Sequence, residues 1–205
     1  SEEDRHSLGV ADAGKSAFLP LVTRFEPPEK PEAARKVEYD IGMIGSWSWQ
    51  SNRIGLDWFL SEVVPKLPRN LTIAIAGQIG QPLPEADHTG LRILGRVPDA
   101  RDFVRSCGVI ALASRAGTGV QLKTIETFEM GLPAVATASA LRGIAEPPEN
   151  VVAADAADDF AGALVRQVEA SRASDFATLD GRRFHADQRE RLDQAIESGL
   201  RRLEN

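Results

Sequence analysis

The chain has 205 residues, 42% hydrophobic and 26% charged, with a formal charge of −6 from 24 Lys and Arg against 30 Asp and Glu. That composition belongs to a soluble globular protein of one domain plus a small appendage and excludes a disordered chain. The acidic balance excludes the electrostatic footprint of a nucleic-acid binder, so no nucleic-acid partner is expected.

In chain order, residues 1–8 read as a short polar helix, and 16–23 as an extended stretch that Pro20 confines to an edge or a strand end. A connector rich in Pro, Glu and Lys follows from Glu26 to Lys36. From Tyr39 a regular alternation begins. Strands are expected at 39–45, 71–76, 93–97, 109–113, 134–138 and 151–154. Helices are expected at 54–67, 100–106, 122–130 (stopped by Gly131 and Pro133) and 156–170. A charged helix over 187–203 reads as a solvated face. The chain thus divides into a segment and connector (1–36), an α/β domain (37–172) and a helical tail (173–205). Strands alternating with helices predict a Rossmann-like parallel sheet flanked by helices on both faces. The apolar strands read as covered on both sides. Ligands in such sheets bind beyond the carboxyl ends of the strands, which directs attention to the loops after Gly45, Gly77, Val97, Ala113 and Ala138.

The single cysteine, Cys107, rules out an intrachain disulfide and a cysteine-based zinc site, and reads as a buried filler. The three histidines, His6, His88 and His185, have no partners at ligand spacing, so no metal site is expected. No apolar run approaches the roughly 20 residues of a membrane span. The acidic opening Ser1-Glu2-Glu3-Asp4-Arg5 has the wrong charge for a signal peptide. A reducing, cytoplasmic setting is the expectation.

Gly9-Val10-Ala11-Asp12-Ala13-Gly14-Lys15-Ser16 matches the phosphate-cradling pattern G-x-x-x-x-G-K-[ST] letter for letter. That pattern works only between a strand and a helix. Here a polar helix precedes it and an extended stretch with Pro20 follows, so it reads as a Gly/Ala-rich turn.

The stretch Arg115-Ala116-Gly117-Thr118-Gly119-Val120-Gln121-Leu122-Lys123-Thr124-Ile125-Glu126 has the right context: it leaves a strand and enters a helix. Its glycines allow close backbone approach, and the helix start offers free amides and a positive dipole end to a phosphate. A cation in the first helical turn, Lys123, is unfavourable by roughly 0.3–1 kcal/mol until an anion sits beside it. Lys123 and Glu126 are three apart and share a face. Leu122, Ile125 and Phe128 lie on another and can enter the core. A carboxylate there can accept hydrogen bonds from two vicinal hydroxyls, such as those of a ribose. An exposed surface ion pair is the alternative from spacing alone. A dinucleotide fingerprint fits less well, because Leu122 occupies the third glycine position and no acidic residue stands about 20 residues on.

Three blocks carry a family resemblance: Gly45-Ser46-Trp47-Ser48-Trp49-Gln50-Ser51-Asn52 leading into Gly55-Leu56-Asp57-Trp58-Phe59-Leu60; Leu94-Gly95-Arg96-Val97-Pro98-Asp99; and Gly119 through Lys123 and Glu126 to Gly131-Leu132-Pro133-Ala134-Val135-Ala136-Thr137. In this order and spacing, over residues 37–170, the chain resembles the donor-binding domain of group 1, GT-B-fold glycosyltransferases. The resemblance implies that Glu126 holds the nucleotide ribose. Lys123, the Gly119–Val120 backbone, Gly45 and Ser46 would lie at the diphosphate, with Lys123 stabilising the leaving group. Arg96 and Val97 would border the base, and Arg115 and Gly117 the donor sugar. Thr118 stands where many members carry an acidic residue that touches the sugar. Arg53 is the nearest match to a basic pair that many members place after the first strand, and it equally reads as a solvated helix-start residue.

The resemblance further implies half of a two-domain, retaining, metal-independent enzyme that takes a nucleoside-diphosphate sugar and no other cofactor. Its acceptor would be a glycan or lipid-linked glycan, as in polysaccharide biosynthesis. The acceptor-binding domain would lie outside this chain, which alone would bind donor without turnover. The intact enzyme would work in the cytoplasm, with the other domain reaching the inner face of the membrane. Trp47 and Trp49 would stack on a ligand or face the other domain, whereas Trp58 reads as core. The tail helix would be displaced, or paired with another copy in a homodimer through the exposed interdomain surface. The competing readings are a non-catalytic nucleotide or dinucleotide binding module and a scaffold domain with a vestigial cleft.

Overall fold

The computed structural model describes residues 19–24, 36–173 and 181–203. The helix expected over 1–8, the pattern at Gly9–Ser16 and the connector before Lys36 lie outside the described residues. Residues 19–24 run without regular secondary structure.

Six strands form one sheet: β1 (Tyr39–Ile44), β2 (Ile73–Ala76), β3 (Leu91–Gly95), β4 (Cys107–Leu112), β5 (Ala134–Ala136) and β6 (Val151–Ala153). They lie in the order β3-β2-β1-β4-β5-β6, and every neighbouring pair is parallel. The order reverses between β1 and β4, which opens a crevice at their carboxyl ends. The helices are α1 (Gln50–Trp58), α2 (Ala100–Arg105), α3 (Leu122–Glu129), α4 (Ala157–Arg172) and α5 (Gly181–Leu203). α1 continues through a π-helical turn (Phe59–Val63) and a 3-10 turn (Val64–Lys66), where Pro65 ends regular pairing.

Successive strand side chains point to opposite faces. Ile41, Met43, Ile73, Ile75, Val109, Ala111 and Val135 pack under α1 and α4. Ala74, Ala76, Ile110, Leu112, Ala134 and Ala136 pack under α2 and α3. On the second face β1 and β4 leave no room at Gly42, where a Cβ would collide with the Cys107 thiol. Cys107 is fully buried and donates to the Phe103 carbonyl at 3.2 Å, in keeping with a filler.

Two expectations are overturned. β3 is an edge strand with Ile93 43% and Leu94 36% exposed, so it is not covered on both faces. The tail is not displaced from the domain. α5 begins six residues earlier than expected and its first turns pack on α3: Phe184 meets Phe128 edge-on at 5.3 Å, and His185 Nδ1 lies 2.8 Å from the Glu129 carboxylate. A charge-based reading of residues 187–203 overlooked the apolar anchor just upstream of them.

Candidate active site at the carboxyl edge of the sheet

A cleft of about 570 Å³ opens at the carboxyl ends of β1, β2, β3 and β4. Four chain segments build it. The loop after β1 contributes Gly45 and Ser46, and the first turn of α1 adds Ser51 and Asn52. The loops after β2 and β3 contribute Gly77, Gln78, Arg96 and Val97. The loop after β4 contributes Ala116, Gly117 and Thr118, and the start of α3 adds Gln121, Leu122, Lys123 and Glu126.

The loop between β4 and α3 depends on its glycines. Gly117 and Gly119 have φ of +104° and +78°, conformations that side-chain-bearing residues rarely adopt. No side chain caps α3 at Gln121, and its first turn holds no acidic residue. The positive end of the helix is therefore left open toward the cleft.

Lys123 enters the cleft from that first turn. Its ammonium lies 3.3 Å from Asn52 Oδ1 and 5.7 Å from the centre of the Trp47 ring. Burial lowers its pKa from the usual 10.5 to about 8. Glu126, one turn on, is half-buried. Its pKa is raised chiefly by desolvation, with Glu129 adding to the rise and Arg101 opposing it. The two groups expected to act together thus line one cleft at one helix end.

Gly45, Ser46, Gly117, Thr118, Lys123, Glu126, Arg96 and Val97 all line the cleft. Arg115, Gly119 and Val120 do not. The Arg115 guanidinium lies over the Trp58 ring at 4.6 Å and donates to the Asp155 carbonyl at 2.7 Å, while the Val120 side chain packs against the core. Arg53 is neither solvated nor a cleft cation: it binds Asp57 at 2.6 Å and the carbonyls of Gln81 and Pro82. Leu122 is 52% exposed at the cleft rim, whereas Ile125 and Phe128 are fully buried as expected.

Trp47 is 1% exposed and donates through Nε1 to the Ala76 carbonyl at 2.8 Å, so it is a core residue beneath the site and not a free stacking surface. Trp49 is 69% exposed. Trp58 packs on the core, edge-on to Phe160 at 5.3 Å. Sequence reasoning did not single out Asn52 or Gln78. The available signals were the place of Gln78 next to Gly77, in a loop already marked for chemistry, and that of Asn52 at the end of the block that opens on Gly45. Among the described residues, no group of three His, Cys, Asp or Glu side chains comes together as a metal site, and no helix is long and apolar enough to cross a membrane.

A six-stranded parallel sheet in this order, with helices on both faces and a cleft at the strand ends, is a Rossmann-like half of the GT-B architecture. The group 1 glycosyl transferase model matches residues 38–170, well over half of the chain, so the chain belongs to that family. Among solved structures, a point mutant of S. aureus TarM, in complex with Fondaparinux, alpha-GlcNAc-glycerol and UDP, is 15% identical at a TM-score of 0.62. That match covers 100% of this chain and 43% of TarM. Sucrose-phosphate synthase from Thermosynechococcus elongatus is 17% identical at a TM-score of 0.61, with coverage of 98% and 54%. Anabaena HepE, in complex with UDP-glucose, is 15% identical at 0.54, with coverage of 99% and 51%. The chain therefore spans roughly half the length of these proteins or less. No curated protein sequence matches it.

Proposed function

We propose that the chain is the donor-binding half of a retaining glycosyltransferase, residues 37–172 forming the donor domain. It takes a nucleoside-diphosphate sugar, with no further cofactor. Glu126 accepts hydrogen bonds from the ribose hydroxyls. Lys123, the open amides at the start of α3 and the Gly45–Ser46 loop receive the diphosphate. Arg96 and Val97 border the base, and Gly117 and Thr118 the sugar. During transfer, negative charge grows on the departing diphosphate, and fixed donors aimed at it lower the barrier. The acceptor side comes from a second domain outside this chain, so this half alone binds donor without turning it over. Cytoplasmic action, a glycan acceptor and a homodimer belong to the same proposal.

The observation that carries it is the placement of Lys123 and Glu126 in one cleft at the uncapped start of α3. The complexes of the structural neighbours with UDP make uracil the first base to try. Calorimetry with UDP, GDP and ADP and their sugar conjugates tests it. One of these is expected to bind, and Glu126→Ala to weaken it by about 10- to 100-fold, the equivalent of one hydrogen bond to a charged group. The absence of heat with all of them, or full affinity in Glu126→Ala, would refute it.

A further inference from the structure

Asn52 makes two contacts that only one orientation of its amide satisfies. Its Nδ2 donates to the Ser46 carbonyl at 3.1 Å, and its Oδ1 faces the Lys123 ammonium at 3.3 Å. The flipped amide would set donor against ammonium and oxygen against carbonyl. Asn52 thus links the loop after β1 to the start of α3. Beneath the same ammonium lies the face of Trp47, within the roughly 6 Å at which an aromatic ring attracts a cation. Trp47 is itself clamped: its Nε1 donates to the Ala76 carbonyl and its backbone N–H to the Gln78 carbonyl at 2.9 Å. A Cβ on Gly45 would touch that ring at 2.8 Å, so the loop closes over the indole only because glycine stands there.

We propose that Asn52 and Trp47 are positioning residues that hold the Lys123 ammonium over the diphosphate end of the cleft. This rests on the nucleotide-binding reading above. Trp47 lies beneath the site and Asn52 lines the cleft beside Lys123, and the role assigned to each runs through the Lys123 ammonium. A long, flexible amine held by a neutral amide and a ring face keeps its charge free for an incoming anion, which a carboxylate partner would neutralise. Because burial has already eased proton loss from Lys123, a bound diphosphate restores its proton. Affinity then falls as pH rises through about 8. The other charged groups of the site are Glu126 one turn along α3, Arg96 from the β3 loop and Arg101 of α2 beside Glu126. Arg53 of α1 is turned to Asp57. Above about pH 7 the terminal phosphate of UDP is mostly ionised, and uridine shares any titration of the uracil ring, so the difference between the two probes reads Lys123.

Calorimetry on the full chain, with UDP and with uridine as the phosphate-free probe, at pH 7, 8 and 9, tests this. Asn52→Leu is expected to weaken UDP about tenfold and uridine less than twofold. Placed on Lys123→Met, the same change is expected to cost little more, since its effect runs through the amine. Asn52→Asp is expected to move the fall in affinity to higher pH, because a carboxylate favours the charged amine. Trp47→Phe, which keeps an aromatic face, is expected to bind UDP more tightly than Trp47→Leu. Failure of wild type to bind any of the three nucleotides would overturn the nucleotide reading and this proposal with it. Wild-type binding together with wild-type affinity and pH profile in Asn52→Leu would overturn the positioning role alone. So would equal losses for UDP and uridine, or a full additional loss on Lys123→Met.

Discussion

Lys123 is held in the fold at a cost that its position in the first turn of α3 makes legible. Its ammonium loses water and, among the described residues, meets Asn52 and the Trp47 ring and no carboxylate. Folding lowers its pKa from 10.5 to about 8, so between those values the unfolded chain binds more protons than the folded one. Stability from this group therefore rises with pH across that window. Lys123→Met removes the dependence. The melting temperature of the variant minus that of the wild type is expected to fall as pH goes from 7 to 10, and thermal unfolding at both pH values checks it. Glu126 works in the other direction: burial raises its pKa, so the ionised form that would accept ribose hydroxyls is lost at a higher pH than for an ordinary glutamate. Their shared face was legible from the sequence, because residues three apart on a helix lie on one side, whereas spacing alone left an exposed ion pair open and only the fold places both in a cleft. Asn52 and Trp47 were not legible as a unit with them. Their partner is 71 residues away in the case of Asn52, and no local pattern encodes such a meeting.

At the scale of elements, α1 shows where periodicity succeeds and where it stops. Leu56, Phe59, Leu60 and Val63 recur at helical spacing and all are buried, yet the helix passes through a π turn that spacing alone does not reveal. The α1–α4 contact rests on aromatic packing: Trp58 and Phe59 both meet Phe160 edge-on, at 5.3 and 6.4 Å between ring centres. Phe160 is fully buried, so Phe160→Ala is expected to destabilise the fold by about 3–5 kcal/mol, measured by denaturant unfolding. Gly55 lets α1 sit against the end of β4, since a Cβ there would collide with the Ala113 carbonyl. The strand expected over 93–97 reads as buried because Ile93, Leu94 and Val97 are apolar; β3 is last in the sheet and lacks a neighbour on one side, a property of order and not of composition.

At the scale of the whole molecule, α3 is held between its two surfaces. One end opens to the cleft, while its last turn carries Glu129, buried and bonded to His185 of α5 and to Thr23. A buried carboxylate that loses a partner keeps its desolvation cost, so His185→Ala is expected to cost about 1–3 kcal/mol, read from chemical denaturation. The far half of α5 leaves Ile196 and Leu200 exposed. By itself the sequence determined the alternation of strands and helices, the parallel sheet, and the Lys123–Glu126 face, because each follows from spacing within one segment and from which side chains water rejects. Only the tertiary structure decided that residues 45–52 close over the start of α3, that Trp47 lies buried beneath Lys123, that Arg115 turns away from the cleft to Trp58, and that α5 returns to its own domain. Those outcomes depend on strand order and on complementary shapes brought together across long stretches of chain, and short-range patterning carries no information about either.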